Sequence, residues 1–257
     1  MLQILGLYGA TGSGKDTIAD IINESCEAAG IKSATFKFAT PVYELASVIL
    51  GVTVEMLGER STKEVPQWFH VTQEAFERAA DVFRKYGLTR YEEFHDVWPR
   101  FEHEHLYNMI DDPIVPLHNG EVVLYSIYIS PRQMLQFVGT ELGRDRLHKD
   151  VWLTTLMRSI NESQVDVAIV SDMRFPNEGA LIIESNDPNN GLITSSVHVI
   201  RPNNELLTAF NHASEQVMPA KFLKQRIVND GSILDLVDTV NEALVDRIIG
   251  NHEEFQS

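Results

Sequence analysis

The sequence predicts an α/β fold, a parallel sheet flanked by helices, with a mainly helical insertion. Three observations predict it. Short apolar runs alternate with stretches of helical periodicity over most of the 257 residues, the pattern of parallel strands joined by right-handed crossovers. The first apolar run leads into Gly-Ala-Thr-Gly-Ser-Gly-Lys-Asp at residues 9–16 and then into a helix, which is the context of a phosphate-binding loop. Residues 51–115 break the alternation with charge, aromatic residues and histidine.

Leu2, Ile4, Leu5 and Leu7 form an apolar run suited to a buried parallel strand. Ile18, Ile21, Ile22, Cys26 and Ala29 recur at helical spacing, and Gly30 supplies a stop. Residues 33–38 read as a second strand, followed by Thr40-Pro41 and a helix with Val42, Leu45, Ala46 and Ile49 on one face. The insertion, with Trp68, Phe69, Trp98 and Phe101, reads mostly as helix. Residues 122–129 are β-like, and Ser130 as N-cap with Pro131 in the first turn opens a helix over 131–142. A helix over 151–160, a buried strand over 165–170 and another strand over 197–200 follow. Residues 185–191 read as a surface loop. Ile227-Val228 precede Asn229-Asp230-Gly231-Ser232, a turn and cap before an amphipathic helix reaching Ile249. The expected organisation is a core of residues 1–50 and 116–250, an insertion or lid over 51–115, and a flexible tail over 251–257.

Composition narrows the function classes. Apolar residues make up 44% and charged residues 23%, ordinary for a globular protein. No apolar stretch approaches the roughly 20 residues that cross a bilayer, so no membrane partner is expected. A strand at the very start leaves no room for a signal peptide. The single cysteine, Cys26, excludes an internal disulfide and fits a reducing cytoplasm. On the apolar face of its helix it reads as a core thiol rather than a nucleophile. Lys and Arg number 21 against 37 Asp and Glu, a net charge of −16, and no basic stripe marks a nucleic-acid partner. An anionic substrate in so acidic a chain needs the few arginines concentrated at its phosphates, which makes each clustered Arg informative.

The loop has the form Gly-x-x-x-x-Gly-Lys, with Asp16 where Ser or Thr is expected. Gly9, Gly12 and Gly14 can adopt positive φ and carry no Cβ, so the loop's backbone N–H groups can wrap a phosphate at a helix N-terminus. Lys15 adds a mobile charge for the β and γ phosphates. Asp16 beside phosphates is repulsive unless a cation lies between, so it is expected to handle a metal, directly or through water. Thr17 cannot replace the missing hydroxyl, because the next helical residue points about 100° away.

Open α/β sheets bind ligands at the carboxyl ends of their strands. Lys37 follows the second strand, and Asp172-Met173-Arg174-Phe175-Pro176-Asn177-Glu178 follows the strand at 165–170. A hydrophobic run ending in Asp matches the magnesium-side carboxylate of phosphate-loop enzymes, which makes Asp172 a second metal candidate. Arg174 suits a phosphate or the charge developing on a transferred phosphoryl. A third group begins with Arg132 near a helix N-terminus, where it can hold an anion, and continues through Gln136, Thr140 and Arg144. His95, His103, His105 and His118 read as a solvated face of the insertion rather than a zinc site. Residues two apart, as in Glu102-His103-Glu104-His105, do not face together on a helix.

With these residues in place, the sequence resembles the bacteriophage deoxynucleoside monophosphate kinases. The resemblance is carried by Gly12-Ser13-Gly14-Lys15-Asp16-Thr17 with Ala19-Asp20, by Arg132 to Arg144 with Gln136 and Gly139-Thr140-Glu141-Leu142, and by Trp152. Asp172-x-Arg174 with Glu178, the run Val-His-Val-Ile-Arg-Pro at 197–202, His212 with Glu215, and Asn229-Asp230-Gly231-Ser232 complete it. It spans residues 1–50 and 128–250. It implies a phosphate-loop nucleoside monophosphate kinase-like fold, and transfer of the ATP γ-phosphoryl to a deoxynucleoside monophosphate with magnesium in the host cytoplasm. It also implies that the loop from Gly12 to Thr17 holds ATP, with Arg201 near the ATP base or its exit. Arg132, Trp152, Asp172, Arg174 and Glu178 would line the acceptor and transfer site, with Lys37, Gln136 and Thr140 as further substrate-binding candidates.

Two other functions fit the residues alone. One is a kinase of another small phosphorylated acceptor, such as dephospho-coenzyme A. The other is a nucleotide-dependent regulator with slow hydrolysis. Two arginine-bearing motifs besides Lys15 point to a second phosphate, which a regulator does not need. Trp152 fits a base-stacking role and a core role equally. Arg60, Lys63 and Arg90 are the insertion's candidates for closing on the site as a lid or acceptor cap. The bases accepted and the oligomeric state, monomer or homodimer, stay open.

Overall fold

The computed structural model describes residues 1–88, 117–118, 120–202 and 218–256. It divides into two compact units, Met1–Phe38 with Ser159–Ser257, and Ala39–Arg158. The chain starts in the first unit with β1 (Leu2–Tyr8), α1 (Lys15–Ala28) and β2 (Ser33–Phe36). It then forms the second unit from α2 (Thr40–Leu50), α3 (Val54–Gly58), β3 (Gln67–Thr72), α4 (Gln73–Lys85), β4 (Leu117–His118), β5 (Glu121–Ile129) and α5 (Pro131–Gln136). A π-helical stretch, Phe137–Leu147, and α6 (Val151–Ser163) lead back. The first unit is completed by β6 (Val167–Met173), α7 (Pro176–Glu184), β7 (Leu192–Ile200) and β8 (Gln225–Val228). A last helical run comprises α8 (Ile233–Val240), a π-helical turn (Asn241–Val245) and α9 (Asp246–Gln256).

In the first unit five parallel strands lie in the order β2-β6-β1-β7-β8. The central β1 reads as a near-continuous apolar run because it is covered on both faces. On one face Leu5, Leu7, Ile169, Val197 and Val199 pack with Ile18 and Ile22 of α1 and with Leu236 and Val240 of α8. On the other, α7 comes so close that a Cβ built on Gly6 would lie 2.8 Å from Cδ1 of Ile182. The parallel sheet flanked by helices is therefore as the sequence predicts. Cys26 is fully buried in this core, and burial pushes its thiol pKa up, the setting of an inert thiol.

Several boundaries differ from the sequence reading. The strand expected at 165–170 runs from Val167 to Met173, so Asp172 lies within β6 rather than after it. Helix α7 and the first half of β7 were not anticipated. The residues expected as a tail continue α9 to Gln256.

The second unit has its own core, in which Leu45, Ile49, Phe69, Val71, Ala79, Phe83, Ile127, Ile129 and Phe137 are buried together. The stretch read as mostly helix contains β3, which forms an antiparallel sheet in the order β3-β5-β4. Its alternation is visible in the packing, with Phe69 and Val71 buried and Trp68 and His70 exposed. Helix α5 opens as the sequence predicts. Ser130 Oγ accepts from the Gln133 amide at 3.3 Å, and Gln133 Oε1 accepts from the Ser130 amide at 2.7 Å, with Pro131 in the first turn. The predicted α-helical continuation to 142 is replaced by the π-helical stretch.

Candidate active site

The loop of residues 9–14 joins β1 to α1, with Gly14 as the helix N-cap. Gly14 sits at φ 103°, in the left-handed region that side chains disfavour. At Gly9 an added Cβ would lie 2.3 Å from the Val199 carbonyl, so β7 closes against the loop only because residue 9 has no side chain. The Ser13 hydroxyl is buried and has no hydrogen-bond partner among the described residues. Lys15 Nζ donates to the carbonyls of Gly9 at 2.6 Å and Ala10 at 2.8 Å, folding back over the loop.

Around Lys15 the first unit brings together Asp16, Lys37, Asp172 and Arg174, each of which shifts its pKa. The ammonium is pushed down to about 8, first by burial and then by the Arg174 guanidinium, with Asp16 and Asp172 opposing and Lys37 adding to the depression. Three cations thus face two carboxylates, a locally positive cluster in a chain of net charge −16. Asp16 is the first residue past Lys15 in α1, and its carboxylate pairs with Lys37 Nζ at 2.8 Å and accepts from Ser171 Oγ at 3.0 Å. Burial works to raise its pKa, but the hydrogen bonds from Lys37 and Ser171 and the charges of Lys37 and Lys15 outweigh it and hold the carboxyl below its ordinary value. Asp172 Oδ1 accepts from the Phe38 amide at 2.8 Å, tying the end of β6 to the strand-end segment that carries Lys37.

Sequence reasoning missed Ser171 and Asn229. Ser171 was visible only as the residue before Asp172. Asn229 stood in the turn motif after the last strand, but nothing in the sequence says that it touches the loop, where its Nδ2 donates to the Ser13 carbonyl at 3.0 Å. Thr17 follows Asp16 in α1, and Arg201 is exposed just past the end of β7.

Glu178 is a correction. The residue is 2% exposed, and its carboxylate accepts from the amides of Arg174 at 2.7 Å and Phe175 at 2.9 Å. It caps α7 and fixes the turn that presents the exposed Arg174, rather than reaching a ligand itself.

The second unit holds the other candidates. Arg132 Nε pairs with Glu64 Oε1 at 2.8 Å, and its amide donates to the Lys63 carbonyl at 3.0 Å. Gln136 and Thr140 follow at intervals of four and are exposed. Lys63 Nζ is occupied by the Tyr43 hydroxyl, and Arg60 is exposed.

Trp152 is a second correction. It is 2% exposed, its Nε1 donates to the Gly139 carbonyl at 2.8 Å, and a Cβ on Gly143 would lie 2.3 Å from its ring. It is a core residue locking α6 to the π-helical stretch, not a surface on which a base can stack. Trp152→Ala is expected to cost about 3–5 kcal/mol of stability, seen as an earlier urea midpoint, with the acceptor KM unchanged. Arg90, His95, Trp98, Phe101, His103, His105, His212 and Glu215 lie outside the described residues.

Comparison with known proteins settles the family. The family model described as Deoxynucleotide monophosphate kinase matches residues 102–240. A protein named Deoxynucleoside-5'-monophosphate kinase, from Escherichia phage T5, is 46% identical over 233 residues, covering 89% of this chain and 90% of the relative. The chain belongs to the deoxynucleotide monophosphate kinase family. A solved sugar kinase from Janibacter sp. aligns over 95% of this chain and 94% of its own, with a TM-score of 0.32 and 11% identity. That likeness is too weak to bear on fold or function.

Proposed function

We propose that this chain transfers the γ-phosphoryl of ATP directly to the 5′-phosphate of a deoxynucleoside monophosphate, giving the diphosphate and ADP. The observation that carries the reading is the cluster of Lys15, Lys37 and Arg174 with Asp16 and Asp172 at the phosphate loop of a family member. Phosphoryl transfer asks for positioning and charge neutralisation more than for covalent chemistry. Lys15, freed from the Gly9 and Ala10 carbonyls, would bind the β and γ phosphates. The amides of Gly12, Ser13, Gly14 and Thr17 would line the phosphate path, and Arg201 would lie near the ATP base.

Arg174 would hold the transferring phosphoryl, with Glu178 orienting it through the backbone. Lys37, Arg132, Gln136 and Thr140 are the proposed acceptor contacts. Asp16 and Asp172 fit a magnesium ion arriving with ATP, because Asp16 already holds a cation at 2.8 Å in the form of the Lys37 ammonium. Such an ion draws its remaining ligands from phosphate and water and supplies charge neutralisation at the reacting phosphates. The stretch 51–115 is proposed as the lid or acceptor cap that keeps water out, and ATP and deoxynucleotides are the proposed partners. No described helix is long and apolar enough to cross a membrane, and the host cytoplasm is the proposed location.

One assay tests the reading. The chain is incubated with ATP, magnesium and a panel of deoxy- and ribonucleoside monophosphates and dephospho-coenzyme A, and the products are separated. Diphosphates formed from the deoxy acceptors are expected. ATP loss that does not depend on an acceptor, or phosphorylation of dephospho-coenzyme A alone, would overturn it.

A further inference from the structure

The last parallel strand ends against the phosphate loop, and one side chain makes the join. The Asn229 amide donates to the Ile200 carbonyl at 2.7 Å, which fixes the residue at the ends of β7 and β8. From there Asn229 Nδ2 donates to the Ser13 carbonyl at 3.0 Å, across 216 residues of sequence. A Cβ on Gly14 would lie 2.4 Å from that same Nδ2. The bare Cα of residue 14 and the amide of residue 229 therefore interlock.

The bond bears on ligand binding because of peptide geometry. The Ser13 carbonyl and the Gly14 N–H belong to one planar trans peptide and point in opposite directions. Holding the carbonyl toward Asn229 turns the Gly14 N–H away from it, and the left-handed conformation at Gly14 then starts α1 with Lys15 and Asp16 in place. Without the donor on Asn229 that peptide loses this side-chain restraint, and ordering it adds to the cost of binding a phosphate.

We infer that Asn229 is a positioning residue for ATP, holding the peptide between Ser13 and Gly14 in its phosphate-binding orientation. The inference rests on the reading of this loop as the ATP site. It is tested with Asn229→Asp, isosteric but with an acceptor in place of the donor, and with Asn229→Ala. Binding of ATP is measured by titration calorimetry without acceptor, and KM is measured for ATP and for deoxynucleoside monophosphate separately. Both variants are expected to weaken ATP binding and raise the ATP KM by about tenfold, the size of one net hydrogen bond. Asn229→Asp should be the worse of the two, with the acceptor KM close to wild type and the melting temperature lowered by no more than a few degrees. Equal ATP affinity in variants and wild type, or parallel losses in ATP binding, acceptor KM and melting temperature, would overturn the inference. A wild-type chain that binds no ATP would overturn the underlying reading as well.

Discussion

Lys15→Met is expected to abolish turnover and at the same time make the ligand-free chain more stable. Lys15 is the cation proposed to bind the β and γ phosphates, and removing one such group costs about a thousandfold in kcat/KM. The stability gain follows from its pKa of about 8 against an ordinary 10.5. Holding the charged ammonium in this buried, cationic cluster opposes folding by about 3 kcal/mol at neutral pH. The hydrogen bonds to the Gly9 and Ala10 carbonyls return about 1 kcal/mol each. A net gain of roughly 1 kcal/mol remains for the variant, a rise of a few degrees in melting temperature.

The pH dependence has a definite sign. The folded chain binds fewer protons than the unfolded chain between about pH 8 and 10.5, so wild-type stability gains from this group as pH rises through that window. The advantage of Lys15→Met should therefore be full below pH 8 and fade above it. Calorimetry of both proteins without nucleotide checks this, and a variant that melts below wild type at pH 7 would contradict it.

Asp16→Ala is expected to lower kcat by about 10²–10³ while ATP affinity measured without magnesium stays within a few-fold of wild type. The carboxylate touches no phosphate in this reading; it holds the cation between itself and the phosphates, so its loss falls on the transferring state. In wild type, ATP binding should tighten when magnesium is added, and in Asp16→Ala that tightening should largely vanish. Near-normal turnover of the variant at limiting magnesium would sink the metal role of Asp16.

Much of this site is legible in local sequence, because its parts are local. Strand, glycine loop and helix are contiguous through Lys15 and Asp16, and the cap at Ser130 and Pro131 is complete within four residues. Asp172 was found from the rule that strands of an open sheet aim their carboxyl ends at the ligand. What escaped notice depends on distant pairings. Ser171 meets Asp16 across 155 residues and Asn229 meets Ser13 across 216, and no periodicity records either contact. The antiparallel sheet of the second unit was hidden because β3 is six residues long among charged neighbours, and its partner β5 lies about fifty residues away. Trp152 was undecidable because its ring fits either role until the glycine gap at Gly143 is seen.

The order of strands has a consequence for how the chain is born. Of the described strands β1 precedes the others in the chain; it lies between β6 and β7, and β2 lies beside β6, so neither finds its sheet neighbour until residues beyond 167 leave the ribosome. At about 5–20 residues per second that is a wait of roughly 8–30 s with an apolar strand unpaired. The contiguous stretch Ala39–Arg158 can fold during this interval, and if it does, it shortens the loop that β1 must close, which as free coil would cost about 4 kcal/mol. The first unit is thus split in time: its opening strand is among the first residues made, and the strands that pair with it are among the last.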